Sequence, residues 1–281
     1  MESDFERLAT AMRPRLHRYC ARMMGSTFDG EDVVQEALAR AAGAWASDVE
    51  QPERWLFRIA HNAAIDAIRA RGRQNNVMLD PQLDVADEQA DAEARVSVAG
   101  SFGAFLPLPV PQRACVVLID VLGYSASETA EILGATVPAI KAALHRGREA
   151  LVTKPRAAPR APASETERLR LRAYADLFNA REFNALRDLL AADVRLDLAG
   201  RARMNGRARV ETYFARYEAS HRCWRLDPAF ADGRAALLAT ALDDPNARSV
   251  VLLEWEEGRI ATIRDFLYAS YIMDGIAIST L

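Results

Sequence analysis

The chain has 281 residues, a formal charge of −3 and 50% hydrophobic residues, which is an ordinary globular composition and predicts about two domains. No run approaches the roughly 20 apolar residues that cross a bilayer, and the charged start "MESDFERLAT" does not read as a secretion signal, so we expect a cytoplasmic protein without a membrane segment. Three distant cysteines (Cys20, Cys115 and Cys223), with no histidine at ligand spacing, predict neither a disulfide scaffold nor a metal site, and no cofactor is expected.

The first part of the chain is helical. Apolar residues recur every three to four positions from Leu8 to Tyr19, which predicts one helix, and Asp29 can cap a second. The second helix has a buried stripe made of Val34, Leu38 and Ala41. Off this stripe lie Asp32, Gln35, Glu36 and Arg40, for which a solvated face is the plain interpretation.

A third helix, "ERWLFRIAHNAAIDAIRARGR" (53–73), carries five arginines against two acids. Pro52 suits its first turn and Gly72 its end. Its expected buried stripe consists of Leu56, Ile59, Ala60, Ala63 and Ala67. Asn62 and His61 are expected on the exposed side, which is either a solvated basic face or a phosphate-binding one.

Two connectors interrupt the periodic segments. Between Asp80 and Glu93 there are six acids and no base, which is typical of a solvated, flexible segment. "TKPRAAPRAPASE" (153–165) has three prolines and predicts an extended linker.

The segment between the connectors has helix-turn-helix signals. Gly123 suits the end of an apolar helix, and Ser125 with Glu128 forms a capping box for a short helix. Gly134 makes a tight turn, and Thr136 caps a third helix with Ile140, Ala143 and Leu144 inward. The bases expected on its outward face are Lys141, His145, Arg146 and Arg148. Such a helix can enter a DNA major groove, although a plain helical hairpin has the same pattern.

The remaining chain predicts an α+β domain. Helices around 169–177, 183–190 and 206–220 alternate with "VRLDLA" and are followed by the strand-like "RCWRLDP", "RAALLATAL" and "RSVVLLEWEEGRIATIRDFLYASYI". "EEG" is the predicted hairpin turn, and the sheet is expected to be curved and antiparallel. Arg264 and Asp265 are neighbours on one strand and therefore should point to opposite faces.

Taken together, "GEDVVQEALARAAGAW", "WLFRIAHNAAIDAIRARGR" and "LPVPQRACVVLIDVLGYSASETAEILGATVPAIKAALHRGREAL" resemble domains two and four of the extracytoplasmic-function sigma factors of bacterial RNA polymerase. The order of the motifs and the acidic connector agree with this resemblance over about the first 150 residues. It implies two partners: core RNA polymerase, through its largest-subunit coiled coil and its flap, and promoter DNA.

The resemblance also implies roles for residues. Asp32, Gln35 and Glu36 would bind core polymerase. The minus-10 promoter element would be bound by Trp45, Arg58, His61, Asn62, Arg69, Arg71 and Arg73. The minus-35 element would be bound by Thr136, Pro138, Ala139, Lys141, His145, Arg146 and Arg148.

The last segment resembles the SnoaL-like (NTF2-like) cone, which some sigma factors of this class carry at the same position. Such cones often enclose a pocket, for which Tyr174, Tyr213, Trp224 and Arg264 are the expected lining residues. No acid–base pair or nucleophile stands out, so no catalytic residue is predicted. We expect this domain to contact the sigma domains within the same chain and to modulate them; whether a separate anti-sigma protein exists stays open.

The predicted fold is therefore multidomain: two all-α sigma modules followed by an α+β SnoaL/NTF2-like cone. Its parts are sigma domain two (1–75), an acidic flexible linker (76–105), sigma domain four with the helix-turn-helix (106–153), a Pro/Ala linker (154–164) and the SnoaL-like regulatory domain (165–281). A non-enzymatic sigma factor is the leading hypothesis. The alternatives are a helix-turn-helix regulator that acts without polymerase and a small-molecule-processing SnoaL-like enzyme with DNA-binding modules.

Overall fold

The computed structural model describes residues 3–46, 48–74, 102–153 and 164–281. The acidic segment Asp80–Glu93 and the proline-rich residues 155–163 lie outside the described residues. The chain divides into two compact units, Met1–Ala158 and Pro159–Leu281, and each is described by itself. Within the described segments, no helix combines the length and the apolar character that a bilayer crossing requires.

The first unit is all-helical. Its elements are α1 (Asp4–Met24), α2 (Thr27–Ala44), α3 (Pro52–Gln74), a 3₁₀ turn (Phe102–Phe105), α4 (Val110–Val116) with a π-helical continuation (Val117–Val121), α5 (Ala126–Leu133) and α6 (Val137–Thr153). The local signals of the helix-turn-helix are confirmed, because Ser125 and Glu128 form a reciprocal capping box and Gly134 ends α5 with φ 65°. Gly123, with φ 80°, also has the left-handed conformation expected at its turn.

Two predicted helix ends are wrong. Ser26, not Asp29, caps α2, and its side chain accepts a hydrogen bond from the backbone N–H of Asp29. The longer helix buries Phe28 completely and brings Gly30 against α1, where an added Cβ would lie 2.5 Å from Cα of Ala21. Gly72 does not end α3, which continues to Gln74. At the start of α2, packing between helices outweighs the local signal.

The two predicted helical modules pack on one hydrophobic core. The ring of Phe57 in α3 meets that of Tyr124, just before α5, at 5.2 Å between ring centres. The buried Arg113 of α4 donates hydrogen bonds to the backbone carbonyl of Met23 in α1 and, at 2.9 Å each, to those of Leu106 and Leu108. Apolar and polar contacts therefore both join the helix-turn-helix to the first three helices.

The second unit is α+β, as predicted. Its helices are α7 (Glu165–Asn179), α8 (Phe183–Asp188) and α9 (Arg207–Ala219). Its strands are β1 (Leu190–Leu198), β2 (Ala202–Asn205), β3 (Trp224–Ala231), β4 (Arg234–Ala241), β5 (Arg248–Glu256), β6 (Arg259–Asp265) and β7 (Ile278–Thr280), in the spatial order β2-β1-β6-β5-β4-β3-β7. The expectation of a purely antiparallel sheet is wrong, because β1 and β6 pair in parallel, with Leu196 opposite Ile263.

The hairpin β5–β6 follows the prediction, since Glu257 and Gly258 form its turn with φ 49° and 81°. The predicted strand character of "FLYASYI" is wrong: β6 ends at Asp265, and Ser270–Met273 form a 3₁₀ turn. Alternating residues of β1, β4, β5 and β6 build the core on the helix-facing side of the sheet. This packing places the hydroxyl groups of Tyr213 and Tyr217, in α9, next to Asp265 at the end of β6.

Candidate functional sites

The outward face of α2 carries an acidic strip. The side chains of Asp32 and Glu36 are exposed. Gln35, between them, is half-buried, and its amide donates to Oε1 of Glu31 at 3.4 Å. Glu31 is fully buried and pairs with Arg13 of α1 at 2.7 Å. A structural ion pair beneath the strip thus fixes the helix that presents it.

The exposed side of α3 has the basic character that the sequence predicts. Asn62, Arg69 and Arg73 are exposed on this helix. Arg71 is also exposed, but it pairs with Asp29 of α2 at 2.9 Å, so part of its charge is compensated. The face can meet phosphates of a nucleic acid, since most of its positive charge lies toward solvent.

His61 does not lie on the exposed side, contrary to the prediction. Its ring is half-buried, and Tyr19 of α1 bonds to its Nδ1 at 2.8 Å. Burial lowers the pKa of His61 to about 4, so the ring is neutral at pH 7. His61 therefore adds no charge for a phosphate contact and instead joins α3 to α1.

The expected base-binding aromatic, Trp45, belongs to a small ring cluster. It is half-buried at the end of α2, and its ring centre lies 5.5 Å from that of Phe5 and 5.8 Å from that of Trp55. The cluster holds the start of α3 next to the loop that leads into it. Trp45 as a base-contacting residue stays a prediction.

Two arginines at the start of α3 make contacts that were not predicted. Arg54 forms ion pairs with Glu128, at 2.9 Å, and with Glu131, both in α5. Arg58 donates a hydrogen bond to the backbone carbonyl of Glu131 at 2.7 Å. These residues are more than 70 positions apart in sequence, so no local pattern could have indicated the contact.

The helix-turn-helix presents α6 as expected over its first half. Thr136 accepts a hydrogen bond from the N–H of Ala139 at 3.3 Å and thereby caps the helix. Ile140 and Ala143 are buried, as predicted. Pro138, Lys141 and His145 are exposed, whereas Ala139, Leu144 and Arg146 are half-buried.

Arg148, however, does not lie on the outward face. Its guanidinium makes two hydrogen bonds to the carboxylate of Asp120, at 2.6 and 3.0 Å, and the Asp120 side chain is fully buried. The bond to Asp120 raises the pKa of Arg148. This pair fixes α6 against the π-helical segment, so the predicted outward orientation of Arg148 is wrong.

The four expected pocket residues of the second unit do not share one site. Tyr213 lines a cavity of about 100 Å³ together with Asp265, while Trp224 lines a separate groove of about 850 Å³. Tyr174 is buried in the core. Arg264 lines neither space and lies 3.8 Å from Asp197, on the side of β6 opposite to Asp265, as strand alternation requires.

Sequence reasoning did not identify Asp265 and Tyr217 as lining one site. Asp265 is buried and accepts hydrogen bonds from the hydroxyl groups of Tyr213, at 2.8 Å, and Tyr217, at 2.9 Å. Burial raises the pKa of Asp265. The helical spacing of the two tyrosines was the available signal. Among the described residues, no cluster of three or more His, Cys, Asp or Glu side chains could hold a metal ion.

Three family models match the chain in order. Residues 8–74 match the model of sigma-70 region 2, residues 106–151 that of sigma-70 region 4, and residues 171–263 that of the SnoaL-like domain. A basic helix and a helix-turn-helix in the first unit, together with these matches, define a protein of the sigma-70 class with an appended SnoaL-like domain.

The relatives give the family. The ECF RNA polymerase sigma factor SigM of Mycobacterium tuberculosis is 33% identical over 150 residues, which are 52% of this chain and 74% of SigM. SigW of Bacillus subtilis is 32% identical over 166 residues, 53% of this chain and 88% of SigW. SigG of M. tuberculosis is 33% identical over 221 residues, 68% of this chain but only 60% of SigG. The chain belongs to the ECF RNA polymerase sigma factors.

Solved structures similar to this chain include the M. tuberculosis extracytoplasmic function sigma factor SigJ. It is 18% identical, with a TM-score of 0.37 over 92% of this chain and 96% of SigJ. The sigma factor RpoE of Bartonella quintana, solved in complex with the anti-sigma factor NepR, is 23% identical, with a TM-score of 0.41 over 53% of this chain and 94% of RpoE.

Proposed function

We propose that this protein is a transcription initiation factor that binds core RNA polymerase in the cytoplasm and directs it to promoter DNA. The observation that carries the proposal is the ordered pair of sigma-70 regions 2 and 4 within the first unit. Each region presents an exposed surface of the required chemistry: acidic on α2, and basic on α3 and α6.

The acidic strip of α2 is the proposed polymerase contact. Exposed carboxylates at Asp32 and Glu36 are suited to bind a basic partner surface, and such charges govern the association rate and specificity of a complex. Replacing both by Ala is expected to lower the affinity for core polymerase at least about tenfold without changing the fold. The matched control is Asp176→Ala, an exposed acid of the second unit. Unchanged polymerase binding by the double variant would contradict this assignment.

The same measurement separates the proposal from a regulator that acts without polymerase, because such a regulator binds its DNA but not the core enzyme. Run-off transcription on genomic fragments is the decisive second assay. If core enzyme with this protein gives no promoter-specific transcript from any fragment, the initiation role is rejected.

The basic face of α3 is the proposed contact for the separated promoter strand. Opening a duplex costs about 1.4 kcal/mol per base-pair step in lost stacking, whereas stacking of one base on an aromatic ring returns about 1–3 kcal/mol. Asn62, at the centre of the exposed side, and the aromatic Trp45 are the residues we assign to bases. Arg69 and Arg73 are assigned to phosphates, which position a protein on DNA without reading its sequence.

Contact of Arg58 with DNA competes with a contact inside the protein. In this structure the guanidinium of Arg58 is bonded to the carbonyl of Glu131, and its neighbour Arg54 is paired with Glu128. For Arg58 to bind a DNA phosphate, its guanidinium must therefore give up its hydrogen bond to the carbonyl of Glu131 in α5. Binding through Arg69 or Arg73 requires no such exchange with α5.

The second unit is proposed to modulate initiation without catalysing a reaction. The carboxylate in its small cavity, Asp265, already accepts three hydrogen bonds, so it is not poised as a general base. The comparison that tests this is full-length protein against a chain ending at Lys154. Equal polymerase affinity and equal transcription by both proteins would remove the regulatory role, and turnover of a small molecule by residues 165–281 would restore the enzymatic alternative.

A further inference from the structure

The second unit buries a carboxylate whose hydrogen-bond partners are all neutral. Asp265 is 1% exposed at the end of β6. Its Oδ2 accepts from the hydroxyl groups of Tyr213 and Tyr217, and its Oδ1 accepts from the backbone N–H of Leu267 at 2.9 Å. In the part of the chain that the structure describes, no cationic side chain pairs with it.

A buried carboxylate without a positive partner is unfavourable. Interior charges in proteins are normally paired with an opposite charge or bind a metal, and an uncompensated acid tends to take up a proton instead. The pKa of Asp265 is raised by burial although three hydrogen bonds oppose this. A cation in the cavity beside the carboxylate would supply the missing positive partner and favour the ionised form.

This cavity has a volume of about 100 Å³, and three of its eight lining residues are tyrosines. Tyr213, Tyr217 and Tyr268 line it together with Asp265. A cavity of about 150 Å³ can hold benzene, which has six heavy atoms, so this one admits a group of about four heavy atoms. Arg201 lies over Tyr268, 4.2 Å from the ring centre, which shows that this ring already attracts a cation on one face.

The hydrogen-bonding capacity of the site limits the classes of cation that it can bind. A carboxylate has about four lone-pair positions, and three of those of Asp265 are occupied. A metal ion would find one carboxylate and no cluster of His, Cys, Asp or Glu among the described residues. A methylated ammonium needs no hydrogen bond and is attracted by tyrosine rings.

We propose that the cavity between α9 and the end of β6 binds a methylated ammonium group, with its positive charge beside Asp265 and its methyl groups on the rings of Tyr213 and Tyr217. Arg216 also lines the cavity, but its side chain is exposed and makes no ion pair with Asp265. The open side of the cavity leaves room for whatever the ammonium is attached to. This site is independent of the proposed initiation function.

The test uses full-length protein and two probes of equal shape. Choline carries the charge, and 3,3-dimethylbutan-1-ol is its neutral isostere. We expect choline to bind saturably below about 50 mM and the isostere at least about tenfold more weakly, since a desolvated cation–π and charge contact is lost. Magnetisation transfer from the choline methyl groups to the ring protons of Tyr213 and Tyr217 is expected to locate the site.

Variants then identify the carboxylate. Asp265→Asn retains the shape of the side chain but removes its charge, and it is expected to lower the affinity for choline at least about tenfold. Asp193→Asn, at an exposed position of β1, is the control and should leave choline binding unchanged. The probe pair on unchanged protein decides the question even if the Asp265 variant does not fold. The proposal is overturned if choline does not saturate, if the isostere binds equally well, if folded Asp265→Asn keeps full affinity, or if the methyl groups contact only Trp224 in the larger groove.

Discussion

Arg113 offers a quantitative test of how the helix-turn-helix is attached to the first three helices. The side chain is 6% exposed, and burial lowers its pKa to about 10, so it is still charged at pH 7. Replacing Arg113 by Met keeps much of the volume but removes the donors for three backbone carbonyls, those of Met23, Leu106 and Leu108.

The expected loss follows from two opposing terms. Three hydrogen bonds from a charged donor contribute about 1.5–3 kcal/mol each, which gives a gross loss of about 4.5–9 kcal/mol. Removing the buried charge returns a burial cost of roughly 3 kcal/mol, since burial lowers the pKa of Arg113 to about 10. The difference is about 1.5–6 kcal/mol, and we expect a destabilisation of about 3 kcal/mol, in the lower half of that range, because such contributions are not fully additive.

The assay must report the two units separately, because they can unfold in separate steps. Urea unfolding followed by pulsed hydrogen exchange and mass spectrometry does so: peptides from 102–153 should lose protection at lower urea, while peptides from 164–281 keep the midpoint of the unchanged protein. Arg69→Met, at an exposed position of α3, is the control and should change stability by less than about 0.5 kcal/mol. A loss below about 1 kcal/mol in Arg113→Met would refute the inferred role.

Two further predictions concern the first unit. The pKa of His61 is about 4 in the folded protein, against an ordinary value of 6.5, so the neutral buried ring stabilises the fold fully only above pH 6.5. As the pH falls from 6.5 to 4, about 3 kcal/mol of stability should be lost. In urea denaturation at a series of pH values, His61→Asn, which keeps an acceptor for Tyr19, should remove most of this acid sensitivity. Gly30→Ala forces a Cβ into the backbone of Ala21 and should cost about 1–3 kcal/mol or more in urea unfolding, whereas Gly43→Ala, with open space around it in the same helix, should be neutral or stabilise by up to about 1 kcal/mol. Equal effects of the two glycine substitutions, or identical pH profiles with and without His61, would contradict these assignments.

The parts of the fold that depend on neighbouring residues were predictable. The capping box of Ser125 and Glu128, the left-handed Gly134 and the hairpin turn at Gly258 each have a local cause, and the structure has them where the sequence places them. The start of α2 was not predictable, because Ser26 and Asp29 are both good caps. Which of them caps the helix depends on burying Phe28 and Gly30 against another helix.

The parts that depend on distant residues were not predictable from one sequence. Nothing near Arg148 shows that Asp120 neutralises it, and the parallel pairing of β1 with β6 joins strands separated by about half of the second unit. The exposed candidates on α2 and α3 were accessible to pattern reading, since a polar residue off an apolar stripe faces solvent. Tyr213 was named from sequence, but its pairing with Asp265 was found only through the fold.

The edge-to-face contact between Phe57 and Tyr124 has a thermodynamic consequence for assembly. Both rings are buried, and each covers part of the other only while the two helical modules stay together. A partner that separates the two modules must therefore cover the newly exposed ring surfaces itself or leave them exposed to water. In calorimetry, covering them keeps the heat capacity change of binding strongly negative, and hydrating them shifts it in the positive direction.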